Sequence, residues 1–455
     1  PPPPPPPPHP YFFHAEDGIR DQHRYRGLGD VYKRKLLVLS QARAVIAADV
    51  FRGYDLASTM LAERRRLDSL EEVIIVGQAP REARSFWSLA ESGKPLDQHD
   101  RAVAADPCLL LYTSGTTSSP KGVPLTYQNM LGNIESAADE FEVTEHDRIL
   151  SAAPFSHLYG IFNFHMALSR GAAAVLLPAF TPQDLGQAVS MHEPTMLFLG
   201  PAHAAAMLGQ GLINERDFAS VRFSVFSGAS CPTHVLERYQ SAIPTSTVAQ
   251  LWGMTEIQAG SFTRASDPLS VAATSAGPPA RGNEVRIRSL DGDILSAGEE
   301  GELEIRGASV FGGYLDNHEA NAAAFTRDGW FRSGDLACID DVGYIRLTGR
   351  TKDLINRGGV KYNPTDIEAL LMQNDAVDQA AIVAMPDPVL GEKACCFVTL
   401  RPGFDLSLTE VCVLLEGENV SKVKWPERLE IVEEMPLTPT RKIIKGALAQ
   451  RLNSS

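Results

Sequence analysis

The sequence predicts an α/β protein. A large unit of mostly parallel, helix-covered sheets is followed by a small β subdomain and then a smaller α+β unit at the C-terminus. Three observations predict this. From Leu36 to Gly277, short apolar runs of strand length alternate with Ala-rich stretches of helical length, a pattern that builds parallel sheets covered by helices, with ligands at the strand C-terminal ends. After Gly277 the texture changes to short alternating strands with Gly- and Asp-rich turns. Beyond Arg350 strands and helices are compactly interspersed. The chain therefore divides into residues 1–35, 36–349 and 350–455.

Residues 1–35 stand apart. Pro1–Pro8 is a homopolymer, and HPYFFHAEDGIRDQHRYRGLGDVYKRK follows with neither helix nor strand periodicity. It lacks the apolar segment of a signal peptide. The piece AEDGIRD with RGLGDVYKR resembles a translated sequencing-adaptor scar; a natural Pro-rich tail is the alternative. The runs Leu36–Ser40, Ala44–Asp49 and Glu71–Gly77 then read as strands, with a helix over Asp55–Arg66. Leu109–Tyr112 reads as a buried strand, Thr126–Phe141 as a helix and Arg148–Ala153 as a strand. Core strands follow at Ala173–Leu177 (within the apolar stretch Gly171–Phe180), Met196–Leu199 and Phe223–Ser227. The β subdomain takes Glu284–Ser289, Gly301–Arg306 and Gly343–Leu347. The last unit takes helix Thr365–Gln373, strands Ala380–Ala384 and Ala394–Leu400, and a terminal helix.

Composition removes several functions. A net charge of −14 over 455 residues argues against a nucleic-acid surface, because phosphate neutralisation needs clustered Lys and Arg. No apolar run approaches the ~18 residues of a membrane helix. The six cysteines form no CxxC and no secreted-domain spacing, which suits buried thiols in a reducing cytoplasm.

The stretch Leu109–Gly122 carries the first chemistry. Its loop of Thr113, Ser114, Gly115, Thr116, Thr117, Ser118 and Ser119 ends in Pro120-Lys121-Gly122. Hydroxyls, a glycine-freed backbone and one ammonium suit a polyphosphate. It is not a Walker A loop, since no Gly-Lys-Ser/Thr stands at the required spacing. Read alone, such a stretch is usually an ordinary polar loop.

Further motifs follow in order: QLWGMTE (Gln250–Glu256), GELEIRG with GGY (Gly301–Tyr314), GWFRSGDL (Gly329–Leu336), GRTKDLINRGG (Gly349–Gly359) and PLTPTRK (Pro436–Lys442). With TSGTTSSPKG they resemble the signature set of the adenylate-forming superfamily, which unites acyl-CoA synthetases, luciferases and peptide-synthetase adenylation domains. The chain looks most like an AMP-forming carboxylate–CoA ligase. The resemblance runs from Leu36 to the C-terminus and implies that roughly a hundred further residues precede this segment in relatives. It implies ATP, Mg²⁺ and coenzyme A as cofactor and co-substrates. Thr113, Ser114, Gly115, Thr116, Thr117 and Lys121 would hold the β- and γ-phosphates. Thr255 would bond the α-phosphate and Glu256 would reach the metal. Trp252, where the family often has Tyr, would stack near adenine, with Gly253 beside it and Gly228-Ala229-Ser230 along the base. Asp335 would accept both ribose hydroxyls and Arg350 would add a donor. Without the motifs, Trp252 reads as core, Glu256 as a solvated helix cap and Asp335 as part of a turn.

The resemblance makes Lys442 the adenylation lysine, bridging carboxylate and α-phosphate; Lys445 is the alternative. Arg441 stands where the family usually has Gly. Lys352 falls at the hinge of a mobile C-terminal domain, and Gly358-Gly359 would admit the pantetheine thiol on its second face; Lys361 reads as an exposed lysine, with contact to a CoA phosphate as the alternative. His157, Tyr159 and Met254 would border the acyl pocket. No Asp stands in Phe155-Ser156-His157 to pair with an ammonium, and Leu158 replaces the Asn of hydroxybenzoate-activating relatives. The substrate is therefore expected to be an apolar acid, medium-chain, alicyclic or simple aryl. The acyl acceptor would be CoA or, alternatively, a carrier-protein phosphopantetheine. A catalytically impaired nucleotide-binding homologue is the reading from another class.

Overall fold

The computed structural model describes residues 26–51, 53–93, 102–113, 120–229, 231–438 and 443–452. Its centre is a six-stranded sheet in the order Gln258–Phe262, Thr247–Met254, Phe223–Ser227, Met196–Leu199, Arg148–Ser151, Ala173–Val175. Five strands are parallel and Gln258–Phe262 is an antiparallel edge. The apolar runs are continuous because both faces are covered. Met196 and Phe198 pack on one side with helices Tyr127–Glu140 and Leu158–Ser169. Leu197 and Leu199 pack on the other with Pro182–His192, Pro201–Gly209 and Thr233–Ala242.

Local chemistry sets the element ends. Thr126 caps Tyr127–Glu140 in a reciprocal box with Asn129. Asp55 accepts from the Ser58 amide and starts Leu56–Arg64. The β subdomain is a four-stranded antiparallel sheet, Asn283–Arg288, Gly301–Gly307, Phe331–Ile339 and Ile345–Arg350. Phe331–Ile339, quoted from the sequence only as a motif, is its third strand. Beyond it a separate core gathers Ile355, Tyr362, Ile367, Leu371, Ile382 and Val398. There Val377–Asp387 and Gly391–Leu400 pair antiparallel, and helices Thr365–Leu371 and Lys445–Leu452 pack on Val377–Asp387.

Several expectations are corrected. Leu36–Ser40 is not a strand but the end of helix Arg26–Ser40. Leu37 packs on the cluster around Val73 and Ile75, and Arg34 bonds Glu63 at 2.6 and 2.8 Å. The helix therefore runs through the boundary drawn at residue 35. The Gly171–Phe180 stretch yields only Ala173–Val175, since this short edge strand pairs with one neighbour alone. Leu109–Tyr112 lies in Pro107–Thr113, a half-buried partner of Lys121–Thr126 in an antiparallel hairpin outside the parallel sheet. The cysteines are all free, but Cys108 is exposed and Cys412 half-buried. No helix among the described residues is long and apolar enough to cross a membrane.

At the N-terminal end of the parallel strands, Asp147 ties three of them together. It accepts from Arg222 at 2.9 and 2.8 Å, from the Thr195 hydroxyl at 2.6 Å and from the Thr144 amide at 2.8 Å. Burial alone would raise this carboxyl; the guanidinium and the hydroxyl hold it down at about 2. That lies below the ~3.9 of an unfolded aspartate. The stabilisation is thus complete above that range and lost as pH falls toward 2. Asp147→Asn should cost about 3 kcal/mol near neutral pH by urea unfolding. The gap to the parent should close between about pH 4 and pH 2; a gap that persisted unchanged into acid would contradict the ion pair.

Candidate active site

The opposite, C-terminal end of the sheet carries the chemistry. The Thr113–Lys121 pair closes the mouth of the hairpin. Ser114, Gly115, Thr116 and Thr117 lie outside the described residues, as do Ser230, Arg441 and Lys442. Lys121 places its ammonium 4.8 Å above the ring of Tyr314, within range of a cation–π contact. The hairpin is also joined to Tyr314's loop by a 2.9 Å bond from the Leu315 amide to the Gly122 carbonyl.

Strand Thr247–Met254 turns into Gln258–Phe262 through Thr255–Ile257. A Cβ at Gly253 would stand 1.9 Å from the Gln258 carbonyl oxygen, so only glycine permits this tight return. The turn carries Thr255 and pushes Glu256 into a buried position, 9% exposed. Glu256 is therefore not a solvated helix cap. Its Oε1 accepts from the Tyr314 hydroxyl at 2.9 Å, and its carbonyl accepts from the Phe311 amide at 2.8 Å. Burial raises the carboxyl, opposed by the Tyr314 bond and by the charges of Lys121 and Arg350. Burial, with Glu256 beside it, raises the Tyr314 phenol in turn.

Trp252 and Asp335 meet between the two sheets. The indole Nε1 donates to Asp335 Oδ2 at 2.7 Å, and Arg350 forms an ion pair with the same carboxylate, its Nε 2.9 Å from Oδ1. Asp335 and Arg350 are direct partners across neighbouring strands. Both Trp252 and Asp335 are 5% exposed. The Trp252 ring lies in the core over Gly260, and its edge is what reaches Asp335. Parallel pairing sets Ser227 opposite Leu251, so Gly228-Ala229 leave the sheet beside Trp252-Gly253. Gly228 has φ +91 there.

His157 caps helix Leu158–Ser169, its Nδ1 accepting from the Tyr159 amide at 3.2 Å. Tyr159 crosses the sheet end, donating to the Val225 carbonyl at 3.0 Å and meeting Phe198 edge-on; burial pushes its phenol well up. Met254 packs half-buried on the same core.

In the C-terminal unit, Gly358 and Gly359 form the positive-φ turn of hairpin Ile355–Arg357/Val360–Tyr362, with Lys361 exposed beside it. Lys352 sits in the short 3₁₀ turn Thr351–Asp353 after Arg350; burial, then Arg350, lowers its ammonium. The ends of the PLTPTRK segment are held by the Leu437–Ile443 bridge and a 2.8 Å bond from the Ile444 amide to the Pro436 carbonyl. Lys445, the alternative lysine, is paired with Glu368 at 2.7 Å. It therefore serves the packing of that unit.

The structure thus gathers Lys121, Glu256, Trp252, Asp335 and Arg350. It adds Tyr314, to which the sequence gave no role although GGY stood among the motifs. The AMP-binding enzyme model matches residues 30–315 and the AMP-binding enzyme C-terminal domain residues 366–442. The medium-chain fatty-acid–CoA ligase of Escherichia coli is 31% identical over 418 residues, covering 90% of this chain and 72% of that protein. The 3-[(3aS,4S,7aS)-7a-methyl-1,5-dioxo-octahydro-1H-inden-4-yl]propanoyl:CoA ligase of Mycobacterium tuberculosis is 31% identical over 415 residues, covering 90% and 79%. Among solved structures, ATP-bound MatB from Rhodopseudomonas palustris shares the fold with a TM-score of 0.83, at 24% identity, over 92% of this chain and 81% of that one.

Tyr314→Phe deletes the hydroxyl on Glu256 and keeps the ring under Lys121. It should cost about 1–3 kcal/mol, read from the urea midpoint. Tyr314→Leu, which also removes the aromatic face, should cost about 1 kcal/mol more. Parental midpoints in both variants would detach Tyr314 from the site.

Proposed function

The chain belongs to the AMP-binding enzyme family, and on that premise we propose that it joins a carboxylic acid to coenzyme A at the expense of ATP. A carboxylate oxygen attacks the α-phosphorus and pyrophosphate leaves, giving an acyl-adenylate. The CoA thiolate then attacks the acyl carbon, and AMP leaves with the oxygen that came from the acid. The observation that carries this reading is the junction of Lys121, Tyr314 and Glu256 with the Trp252–Asp335–Arg350 cluster. It offers a cation for phosphates and a carboxylate for a metal ion at one end, and a two-oxygen acceptor for a diol at the other.

In this reading Thr113, Ser114, Gly115, Thr116, Thr117 and Lys121 hold the β- and γ-phosphates, and Thr255 holds the α-phosphate. Glu256 fits a magnesium ion: it is a hard oxygen donor in a buried place. Magnesium usually takes one or two carboxylates, with phosphate oxygens and water completing the set. When bound it would supply positive charge against the phosphates. Lys442 would stabilise the charge that develops as the two anions meet. Lys352 would be the hinge on which residues 350–455 turn to bring Gly358-Gly359 to the acyl group.

The acid is read as apolar: medium-chain, alicyclic or simple aryl. Tyr159 and Met254 offer aromatic and thioether surface, and Tyr159 spends its hydroxyl on the Val225 carbonyl rather than on a ligand. The ligases of E. coli and M. tuberculosis named above act on a medium-chain acid and on a fused-ring propanoic acid, in keeping with this reading. The test is pyrophosphate release across a panel of carboxylic acids. Medium-chain, alicyclic and simple aryl acids should lead, and acids with an ammonium should fail. A preference for amino acids would overturn the pocket reading. Lys442→Ala should cut pyrophosphate release by about a hundredfold or more, while leaving CoA capture of a supplied acyl-adenylate largely intact. Equal loss of both half-reactions would contradict the separate faces. Comparing CoA with a phosphopantetheinyl carrier protein as acceptor identifies the thiol.

A further inference from the structure

The Trp252 indole is more than a core side chain. We propose that it is a positioning residue for nucleotide recognition: its N–H fixes the plane of the Asp335 carboxylate, so that both oxygens keep acceptor capacity for the ribose diol. This rests on the reading above that Asp335 receives the ribose.

An aspartate's terminal torsion is broad and roughly two-fold. A carboxylate held by one donor can therefore swing between acceptor geometries. Asp335 is held from two sides. Arg350 Nε meets Oδ1 at 2.9 Å and Trp252 Nε1 meets Oδ2 at 2.7 Å. An ionised carboxylate offers about four lone-pair sites. The Trp252 N–H takes one on Oδ2 and the Arg350 guanidinium lies against Oδ1 as an ion pair, so both oxygens keep acceptor capacity, which matches a vicinal diol donating twice.

The donor itself is fixed. Trp252 is packed in the core, and its six-membered ring passes so close to Gly260 that a Cβ there would stand 2.5 Å from Cζ3. The carboxylate's own backbone is set as well, the Asp335 amide donating to the Ser333 hydroxyl at 3.1 Å. The donor comes from the parallel sheet and the acceptor from the antiparallel one, 83 residues apart in sequence. Phenylalanine would keep an aromatic ring in the core, with a smaller volume and no donor, leaving Oδ2 free to reorient.

A bond between two sheets could also be a structural tie, so the test needs a readout that a tie would not move. Binding of ATP, 2′-deoxy-ATP and 3′-deoxy-ATP is measured by calorimetry for the parent, Trp252→Phe and Ser261→Ala. The last removes another buried bond of the same region, from the Ser261 hydroxyl to the Ala276 carbonyl at 2.8 Å. The parent should prefer ATP over both deoxynucleotides. Trp252→Phe should weaken ATP about tenfold and the deoxynucleotides far less, so that the preference collapses; Ser261→Ala should keep it. Should Trp252→Phe fail to fold, 3-benzothienylalanine at position 252 keeps the shape of the indole and lacks the N–H, with the same expected result. Equal weakening of all three nucleotides, or of none, would overturn the positioning role and leave the ribose reading standing. A parent without any preference would overturn both.

Discussion

A carboxylate cut off from water must be met by donors, and Asp335 is buried where two sheets with different strand directions come together. Neither sheet satisfies it alone. Arg350 reaches it from the next antiparallel strand, and Trp252 reaches it from the last parallel strand. An isolated buried charge would be costly enough to displace the elements around it. The pairing therefore constrains how the β subdomain sits against the end of the parallel sheet, and with it where a ligand can lie. The same principle recurs at Glu256, which draws a hydroxyl from Tyr314, and at Glu304, which draws Arg286 at 2.6 Å.

From that junction the division of labour follows. Asp147 secures the N-terminal end of the parallel strands, far from the loops that carry chemistry. At the other end the Gly307–Leu315 stretch acts as a brace. It donates hydrogen bonds to the turn around Glu256 and to the hairpin around Gly122, so groups suited to phosphate and to metal are set relative to each other by one loop. The C-terminal unit has its own core, as a separately folding part of a chain does.

Much of this was legible in the sequence, for physical reasons. Strands buried on both faces must be apolar at every position, and Met196–Leu199 and Phe223–Ser227 announced themselves that way. Amphipathic helices with capping residues, such as Tyr127–Glu140, were equally visible. Leu36–Ser40 was misread because a short apolar run does not distinguish strand from helix; its period becomes helical only when Arg26–Lys35 is included. Phe331–Ile339 was hidden because its Ser-Gly-Asp centre looks like a turn, yet it bulges within a sheet. At the site, residue types pointed only to the hydroxyl-rich loop and Lys121; Glu256, Asp335 and Arg350 came from the resemblance carried by the ordered motifs. Tyr314's part depends on a contact 58 residues away in sequence, and the edge-on use of Trp252 on one 83 residues away. Local pattern carries neither.

The central claim is that the acid is activated at the α-phosphorus of ATP. It is tested most directly with a carboxylic acid labelled with ¹⁸O in its carboxyl group. After turnover with ATP and CoA, mass spectrometry of the phosphorus-containing products should find one labelled oxygen in AMP and none in pyrophosphate. Label appearing in inorganic phosphate, with ADP as the nucleotide product, would mean that the acid is activated as an acyl phosphate and would contradict the account.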